Sequence, residues 1–479
     1  VLFRLSQIGC IEDLTSDIRW TPIEFELRVR ERAAVLISKG IKPRSIVAIA
    51  EPASASFFAD LFAVWTLGCA AACIDPSLTS SEIENVIDFV RPSAIVVGST
   101  PLRAAVKAPA LQLDGKNFVE PFPSAPLCEA NAPALILFTS GTTGDPKGVV
   151  LSFEALLKRI TLNSQAIGDA CRRRTLVTLP TSFGHGLIGN ALTPLLSGGD
   201  IVLHQPGLTL AQNLGKIIDQ HRIGFLSSVP AFWQLVLKFS DAPKRKSLSR
   251  IHVGSAPLSA RLWHEIVAWS GAEVVNCYGM TELANWVAGA CSEQDGISDG
   301  LVGRPWGGQA AIKDGTGMMR AAGEGELLVR SPSVMSGYLN RPDLTASVVI
   351  DGWFHTGDTA RIDHSGTITL TGRIKDEINR AGFKVQPAEI ESLLHTHPSV
   401  LEACVLDMPD LASGEVVAAA VCPRPGQIIV PEDLQRWCAV KIRREAVPER
   451  WLVVDTMPRN RRGKIDRDTL RMIMAGDRQ

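Results

Sequence analysis

Thr139-Ser-Gly-Thr-Thr-Gly-Asp-Pro-Lys-Gly148 follows the apolar run Ala134-Leu-Ile-Leu-Phe138 and precedes a helical pattern beginning near Ser152. Gly141, Gly144 and Gly148 let the backbone turn sharply and approach a ligand closely. Thr139, Ser140, Thr142 and Thr143 add hydroxyls, and Lys147 adds a positive charge. Exposed N–H groups, hydroxyls and one lysine together suit a polyphosphate. The spacing is not GxxxxGK[ST], because Gly148 follows Lys147. On composition alone, a flexible surface loop is the other reading.

Working outward, strand-like runs alternate with helix-like segments. Ser45–Ala50, Ser93–Val97, Leu176–Leu179, Asp200–Leu203, Arg250–Val253 and Glu273–Asn276 read as buried strands. Ala53–Leu67, Leu208–His221 and Ser259–Ser270 carry helical periodicity. The apolar stretch Phe57–Cys73 contains Asp60 and reads as a core helix, too short to span a membrane. This alternation predicts an α/β fold whose sheets are mainly parallel and covered by helices. After Gly303 the texture changes. Glu326–Arg330 and Thr367–Leu370 look like short strands between Gly-rich turns, a small β unit. About a hundred residues beyond Gly372-Arg-Ile-Lys375 form a candidate smaller α+β lid, with a helix over Pro387–His395 and strands over Leu401–Asp407 and Val416–Cys422.

Bulk properties bound the function. A chain of 479 residues holds about three domain-sized units, or one large unit plus a smaller one. Apolar residues at 46% and charged residues at 21% exclude extended disorder. Lys plus Arg (49) against Asp plus Glu (50) gives a net charge of −1, which argues against a general nucleic-acid binder. The ten cysteines are scattered and form no CxxC pair, so they read as buried reduced thiols. A metal pair at Cys69 and Cys73 is the alternative. Reduced thiols, and no secretory pattern at Val1-Leu-Phe-Arg4, point to the cytoplasm.

Further stretches follow the glycine-rich loop in a set order: Asn276-Cys-Tyr-Gly-Met-Thr-Glu282, Gly352-Trp-Phe-His-Thr-Gly-Asp358, Gly372-Arg-Ile-Lys-Asp376, Gly382-Phe-Lys-Val-Gln-Pro-Ala-Glu-Ile-Glu391 and Pro458-Arg-Asn-Arg-Arg-Gly-Lys-Ile-Asp-Arg467. With the loop, they resemble the six ordered motifs of the adenylate-forming superfamily: acyl-CoA synthetases, adenylation domains of peptide synthetases and firefly-type luciferases. The resemblance covers nearly the whole chain. It implies an N-terminal adenylation domain at 1–372, a hinge at 373–376 and a mobile C-terminal lid at 377–479.

The same resemblance implies the roles. The loop from Thr139 through Ser140, Gly141, Thr142, Thr143 and Gly144 to Lys147 would hold the ATP phosphates. Glu282 would hold Mg2+, an oxygen donor of the right kind for that hard cation. Thr281 would bond the α-phosphate. Asn276, Tyr278 and Gly279 would border adenine, with Ser255, Ala256 and Pro257 as one wall. Asp358 would accept the ribose hydroxyls and Arg373 would donate to the ribose. Lys464 would reach between the substrate carboxylate and the α-phosphate. On charge pattern alone, its neighbourhood of Arg459, Arg461, Arg462 and Arg467 reads as a solvated basic terminus. Lys375 occupies the hinge, and Gly382 and Phe383 would lie beside the thiol channel.

Leu179-Pro-Thr-Ser-Phe-Gly-His-Gly-Leu187 matches the segment of the acyl pocket. Phe183 is the gate candidate. His185 would line the pocket, although a lone histidine is more often a structural hydrogen-bonder. Trp233 and Met280 are further pocket candidates, suggesting a small to medium or aromatic acid. Amino-acid-activating relatives place Asp directly after the aromatic residue; here Gly184 stands there, which favours a plain carboxylic acid. Only a short run separates Asp358 from Arg373, leaving no room for the insertion typical of long-chain fatty acyl-AMP ligases, and any thiol acceptor is expected to be a separate molecule. CoA is therefore the expected acceptor, with the phosphopantetheine of a separate carrier protein, or an amine, as the alternative. A non-catalytic nucleotide-binding regulator is a reading from another class. The joint presence of Lys147, Glu282, Asp358, Arg373 and Lys464 argues against it.

Overall fold

A computed structural model describes residues 5–98, 106–113, 128–140, 146–380, 383–410, 414–460 and 463–476. Three sheets organise the chain. One contains strands Ile46–Ala50, Ala70–Cys73, Ala94–Val97 and Pro133–Ser140 in parallel, and is extended on one side by the antiparallel strands Pro146–Ser152 and Gly337–Tyr338. Its middle strands are almost wholly buried runs of alanine, valine and isoleucine with one cysteine. That lack of alternation is what a sheet covered on both faces requires.

The second sheet is longer. Its parallel block comprises Asp200–Leu203, Arg174–Val177, Phe225–Ser228, Arg250–Gly254 and Glu273–Met280. From Asn285–Cys291 onward it turns antiparallel, through Leu301–Pro305 and Ile368–Arg373 to Trp353–Ile362 and Gly323–Arg330. The small β unit expected after Gly303 is thus hydrogen-bonded into the large sheet. The third sheet pairs Val400–Asp410 with Gly414–Pro423 and adds Ile378–Arg380, Phe383–Val385 and Arg450–Val453. It has its own core around Ile390, Val405, Val417 and Leu434.

Local chemistry sets the helix ends. Thr21 and Thr79 form capping boxes with Glu24 and Glu82. Ser152 and Ser259 accept from the third residue of their helices, Phe153–Ile167 and Ala260–Ser270. Leu208–His221 and Pro387–His395 run as the periodicity predicts.

One sequence-based expectation needs correction. The stretch Phe57–Cys73 is not one helix. The helix is Ala55–Thr66, and Ala70–Cys73 is a strand. Gly68 sits at φ 68°. Cys69 N–H donates to Val64 O, so the helix closes there and the chain re-enters the sheet. Apolar periodicity alone cannot separate a buried helix from a buried strand. The expected helix after the glycine-rich motif begins at Phe153, capped by Ser152, and strand Pro146–Ser152 leads into it, pairing Lys147 with Thr139.

Candidate active site

The candidate site lies beyond the carboxyl ends of the parallel strands, the usual ligand-binding edge of such sheets. His185 opens the π-helical segment His185–Leu192, an uncommon helix form often found at functional sites. Glycines permit its packing: a Cβ at Gly186 would lie 2.0 Å from Pro180 O, and one at Gly189 would lie 2.1 Å from Asn285 Nδ2.

The His185 ring is held at both nitrogens. Nε2 is 2.7 Å from Ser227 Oγ, and Nδ1 is 2.7 Å from Ser255 Oγ. Ser227 Oγ donates its only hydrogen to His252 O at 3.1 Å. It therefore accepts from His185 Nε2–H, which leaves Nδ1 to accept from the Ser255 hydroxyl. Burial, helped by the positive charge of Lys464, pushes His185 down to about 3. A neutral ring with both nitrogens engaged is a wall and an orienting group, not a base. Ser255 adopts φ 68°, a rare conformation for a side-chain-bearing residue and a mark of a constrained turn. Ala256 is half-buried and Pro257 exposed beside it. Phe183 is half-buried, its ring edge-on to His185 at 6.4 Å.

His252, one strand over, is fully buried among Phe225, Trp286 and Trp306, with ring centroids 4.9, 4.8 and 5.6 Å away. Neither of its nitrogens has a partner among the described residues. Burial, with Arg250 second, holds it well below the usual histidine range.

The nucleotide-side residues also come together. Tyr278 OH donates to Asp358 Oδ2 at 2.7 Å, and Arg373 Nε pairs with Asp358 Oδ1 at 2.8 Å. Asp358 and Arg373 are direct cross-strand partners. Both carboxylate oxygens are thus occupied, and a ribose would share their remaining lone pairs. Burial, then the Asp358 charge, raises Tyr278 well above the usual phenol range. Asn276 Nδ2 donates to Leu301 O at 2.7 Å, a structural bond inside the sheet. Gly279 marks a bulge, and a Cβ there would stand 2.1 Å from Asn285 O. Met280 is half-buried against the main core. Thr281 and Glu282 follow in a short turn, and Glu282 Oε1 accepts from Tyr338 OH at 2.9 Å.

The C-terminal loop reaches this edge. Gly463, at φ 75°, brings its α-carbon region against Val229 and Ala231 at the start of helix Pro230–Phe239. Asn460 Oδ1 accepts from Lys464 N at 3.1 Å. Arg459 donates to Gly463 O at 2.9 Å and to Gln234 Oε1 at 3.2 Å, and pairs with Glu402. The charge of Lys464 is close enough there to act on the His185 ring.

Other candidates stand elsewhere. Trp233 is not a pocket residue: it is fully buried against Trp269 and Phe232 in the helix layer, because its position on the helix faces the core. Lys375 is exposed in the turn Ile374–Asp376. Phe383 is 55% exposed on the small domain. Thr139 and Lys147 are half-buried at the base of the hairpin. Gly141, Thr142, Thr143, Gly144 and Gly382, and the side chain of Ser140, lie outside the described residues. Cys69 and Cys73 are raised by burial to about 11 and about 12, the opposite of metal-bound thiolates. Among the described residues, no cluster of three His, Cys, Asp or Glu could cage a metal. One carboxylate, Glu282, beside strand Pro146–Ser152 would fit magnesium, which is held by one or two carboxylates plus phosphates and water.

Sequence reasoning missed Ser227, His252, Trp286 and the Tyr338–Glu282 contact. Only the rarity of tyrosine, two in the chain, drew any notice to Tyr338.

A two-part α/β chain with these groups converging on one sheet edge defines an adenylate-forming enzyme. The profile described as AMP-binding enzyme matches residues 8–339, and that of the AMP-binding enzyme C-terminal domain matches 389–464. The chain belongs to the AMP-binding enzyme family. It is 30% identical to an oxalate–CoA ligase of Arabidopsis thaliana, over 91% of this chain and 90% of that one. It is also 30% identical to a 4-chlorobenzoate–CoA ligase of an Arthrobacter species, over 96% and 91%. The structure of ATP-bound MatB from Rhodopseudomonas palustris superposes with a TM-score of 0.85 at 26% identity, covering 99% and 97%.

Proposed function

We propose that this chain is an AMP-forming acid–CoA ligase acting on a plain carboxylic acid without an α-ammonium group. The substrate carboxylate attacks the α-phosphorus of ATP, the bond to pyrophosphate breaks, and an acyl-adenylate forms. The CoA thiol then attacks the acyl carbon and AMP leaves. The observation that carries this reading is the docking of the Lys464 loop on helix Pro230–Phe239, where Arg459 donates to Gln234 Oε1 at 3.2 Å and the Lys464 charge reaches His185.

Two anions must meet in the first step, so fixed positive charge and donors lower the barrier. Lys464 supplies that charge beside the acyl wall. Lys147 and the hairpin hydroxyls hold the leaving phosphates, Thr281 the α-phosphate, and Asp358 with Arg373 the ribose. Magnesium held at Glu282 would neutralise phosphate charge. The acyl side is neutral: His185, Phe183, Gly184 and Met280 offer no ionic partner for a substrate ammonium. For the second step, residues 373–376 act as the hinge, with Lys375 in solvent. The lid then turns Gly382 and Phe383 towards the thiol. Cytoplasmic residence fits ten unpaired cysteines. No described helix is long and apolar enough to cross a membrane.

ATP–pyrophosphate exchange over aromatic, short-chain, medium-chain and amino acids tests the reading. Exchange with simple acids, and AMP release that requires CoA, is the expected result. Exchange with amino acids alone would overturn the substrate assignment.

A further inference from the structure

We propose that Tyr338 is a positioning residue for this reaction: its hydroxyl fixes the Glu282 carboxylate for the divalent cation that accompanies ATP. This rests on the reading of Glu282 as the cation's protein ligand. The two residues are 56 positions apart, and Tyr338 OH donates to Glu282 Oε1 at 2.9 Å.

The backbone around Tyr338 ties the two halves of the phosphate site together. Gly337–Tyr338 is a short strand antiparallel to Pro146–Ser152, with Tyr338 opposite Val149, two residues beyond Lys147. Leu339 N donates to Gly148 O at 2.7 Å, and Ser336 N to Val150 O at 2.8 Å. On the other side, Met335 N donates to Glu282 O at 2.7 Å. One five-residue segment therefore holds the outgoing strand of the phosphate hairpin, the backbone of Glu282 and its carboxylate. Tyr338 itself is anchored, since its N–H donates to Thr345 Oγ1 at 2.9 Å.

The chemistry follows. A glutamate on a turn has three rotatable bonds. Magnesium demands near-octahedral geometry and tolerates little misplacement. A hydrogen bond to Oε1 leaves Oε2 directed and the carboxylate ready before the cation arrives. An ordinary phenol keeps its proton near neutral pH, so the Tyr338 hydroxyl remains a donor. Hydrogen bonds to a metal-ligating side chain of this kind tune affinity by orienting the ligand.

The test uses Mn2+ as a spin probe. Free Mn2+ is read by electron paramagnetic resonance while the cation is titrated into the full chain with ATP, for wild type, Tyr338→Phe and Glu282→Gln. ATP binding in EDTA and the thermal midpoint are measured on the same samples. The phenylalanine keeps the ring and its packing and removes only the hydroxyl. Tyr338→Phe should weaken Mn2+ about tenfold, with ATP binding in EDTA and the midpoint unchanged. Wild-type Mn2+ affinity in Tyr338→Phe, beside a weakened Glu282→Gln, would overturn the proposal and leave the role of Glu282 standing. An equal loss in EDTA would make Tyr338 a structural residue only. Unchanged Mn2+ binding in Glu282→Gln would overturn the reading of Glu282 and the proposal with it.

Discussion

His185 and His252 share one sheet edge and are both held neutral, for different reasons. His185 is saturated by two serine hydroxyls, while His252 is packed among aromatic rings. Both folded values lie below the 6.5 of an ordinary histidine. Above 6.5 both states are neutral and these residues add no pH dependence. As pH falls through 6.5, the unfolded chain takes up protons that the folded chain refuses. Stability then drops, for His185 down to about 3, with a slope of up to roughly 1.4 kcal/mol per pH unit for each histidine. Urea midpoints at about pH 7.5 and about pH 5.5 measure this loss. His252→Phe should fold, since it leaves no polar atom unpaired, and should remove one histidine's share of the acid sensitivity. An unchanged slope in that variant would mean that His252 is not held neutral. Asp358 offers a second residue-scale prediction. Asp358→Asn should raise the KM for ATP about tenfold while sparing the acid's KM, because its carboxylate bonds Tyr278 and Arg373, the groups proposed to hold the nucleotide.

At the scale of elements, the helices Pro22–Ser38 and Ala55–Thr66 are joined by a buried ion pair, Arg32 Nε to Asp60 Oδ1 at 2.7 Å, with both side chains about 5% exposed or less. Asp60 was the one charged residue inside the long apolar run of the sequence, and this pair is its physical reason. Asp60→Ala strands a guanidinium in the core and should cost about 3–5 kcal/mol in urea unfolding. Arg32→Met combined with Asp60→Leu should recover most of that, since removing both charges also removes their desolvation cost. The helix that follows the phosphate hairpin behaves differently. Its Arg159 is buried and bonded to Ser331, Ser333 and Trp306 O, all neutral acceptors. Burial lowers it to about 10, which still leaves it charged.

For the whole molecule, the question is how the small domain serves two half-reactions. In this structure its last loop meets the large domain through Arg459 and Gln234, while Arg459 also pairs with Glu402 of the small domain's own sheet and the Lys464 charge reaches His185. The proposed adenylation step needs a cation there. Lys464→Ala should lower ATP–pyrophosphate exchange at least a hundredfold. Transfer from a supplied acyl-adenylate to CoA should stay within a few-fold of wild type. Loss of both half-reactions would show that Lys464 serves more than the first. A crevice of about 500 Å³ separates helix Ala260–Ser270 from helix Pro387–His395, so the two domains are not packed throughout.

The sequence by itself determined the alternation of strands and helices, the helix caps and the ordered motifs. Each depends on contacts within a few residues: period, N-cap chemistry, and glycine where a turn is sharp. Leu208–His221 and Pro387–His395 were legible for that reason. Only the tertiary structure decided that Ala70–Cys73 is a strand and that Trp233 belongs to the core. It alone brought Tyr338 to Glu282, Tyr278 to Asp358, and Ser227 and Ser255 to His185. Those pairs lie 42 to 80 residues apart. No periodicity carries information over that span; the register of the sheets, set by burying both faces, is what closes the distance.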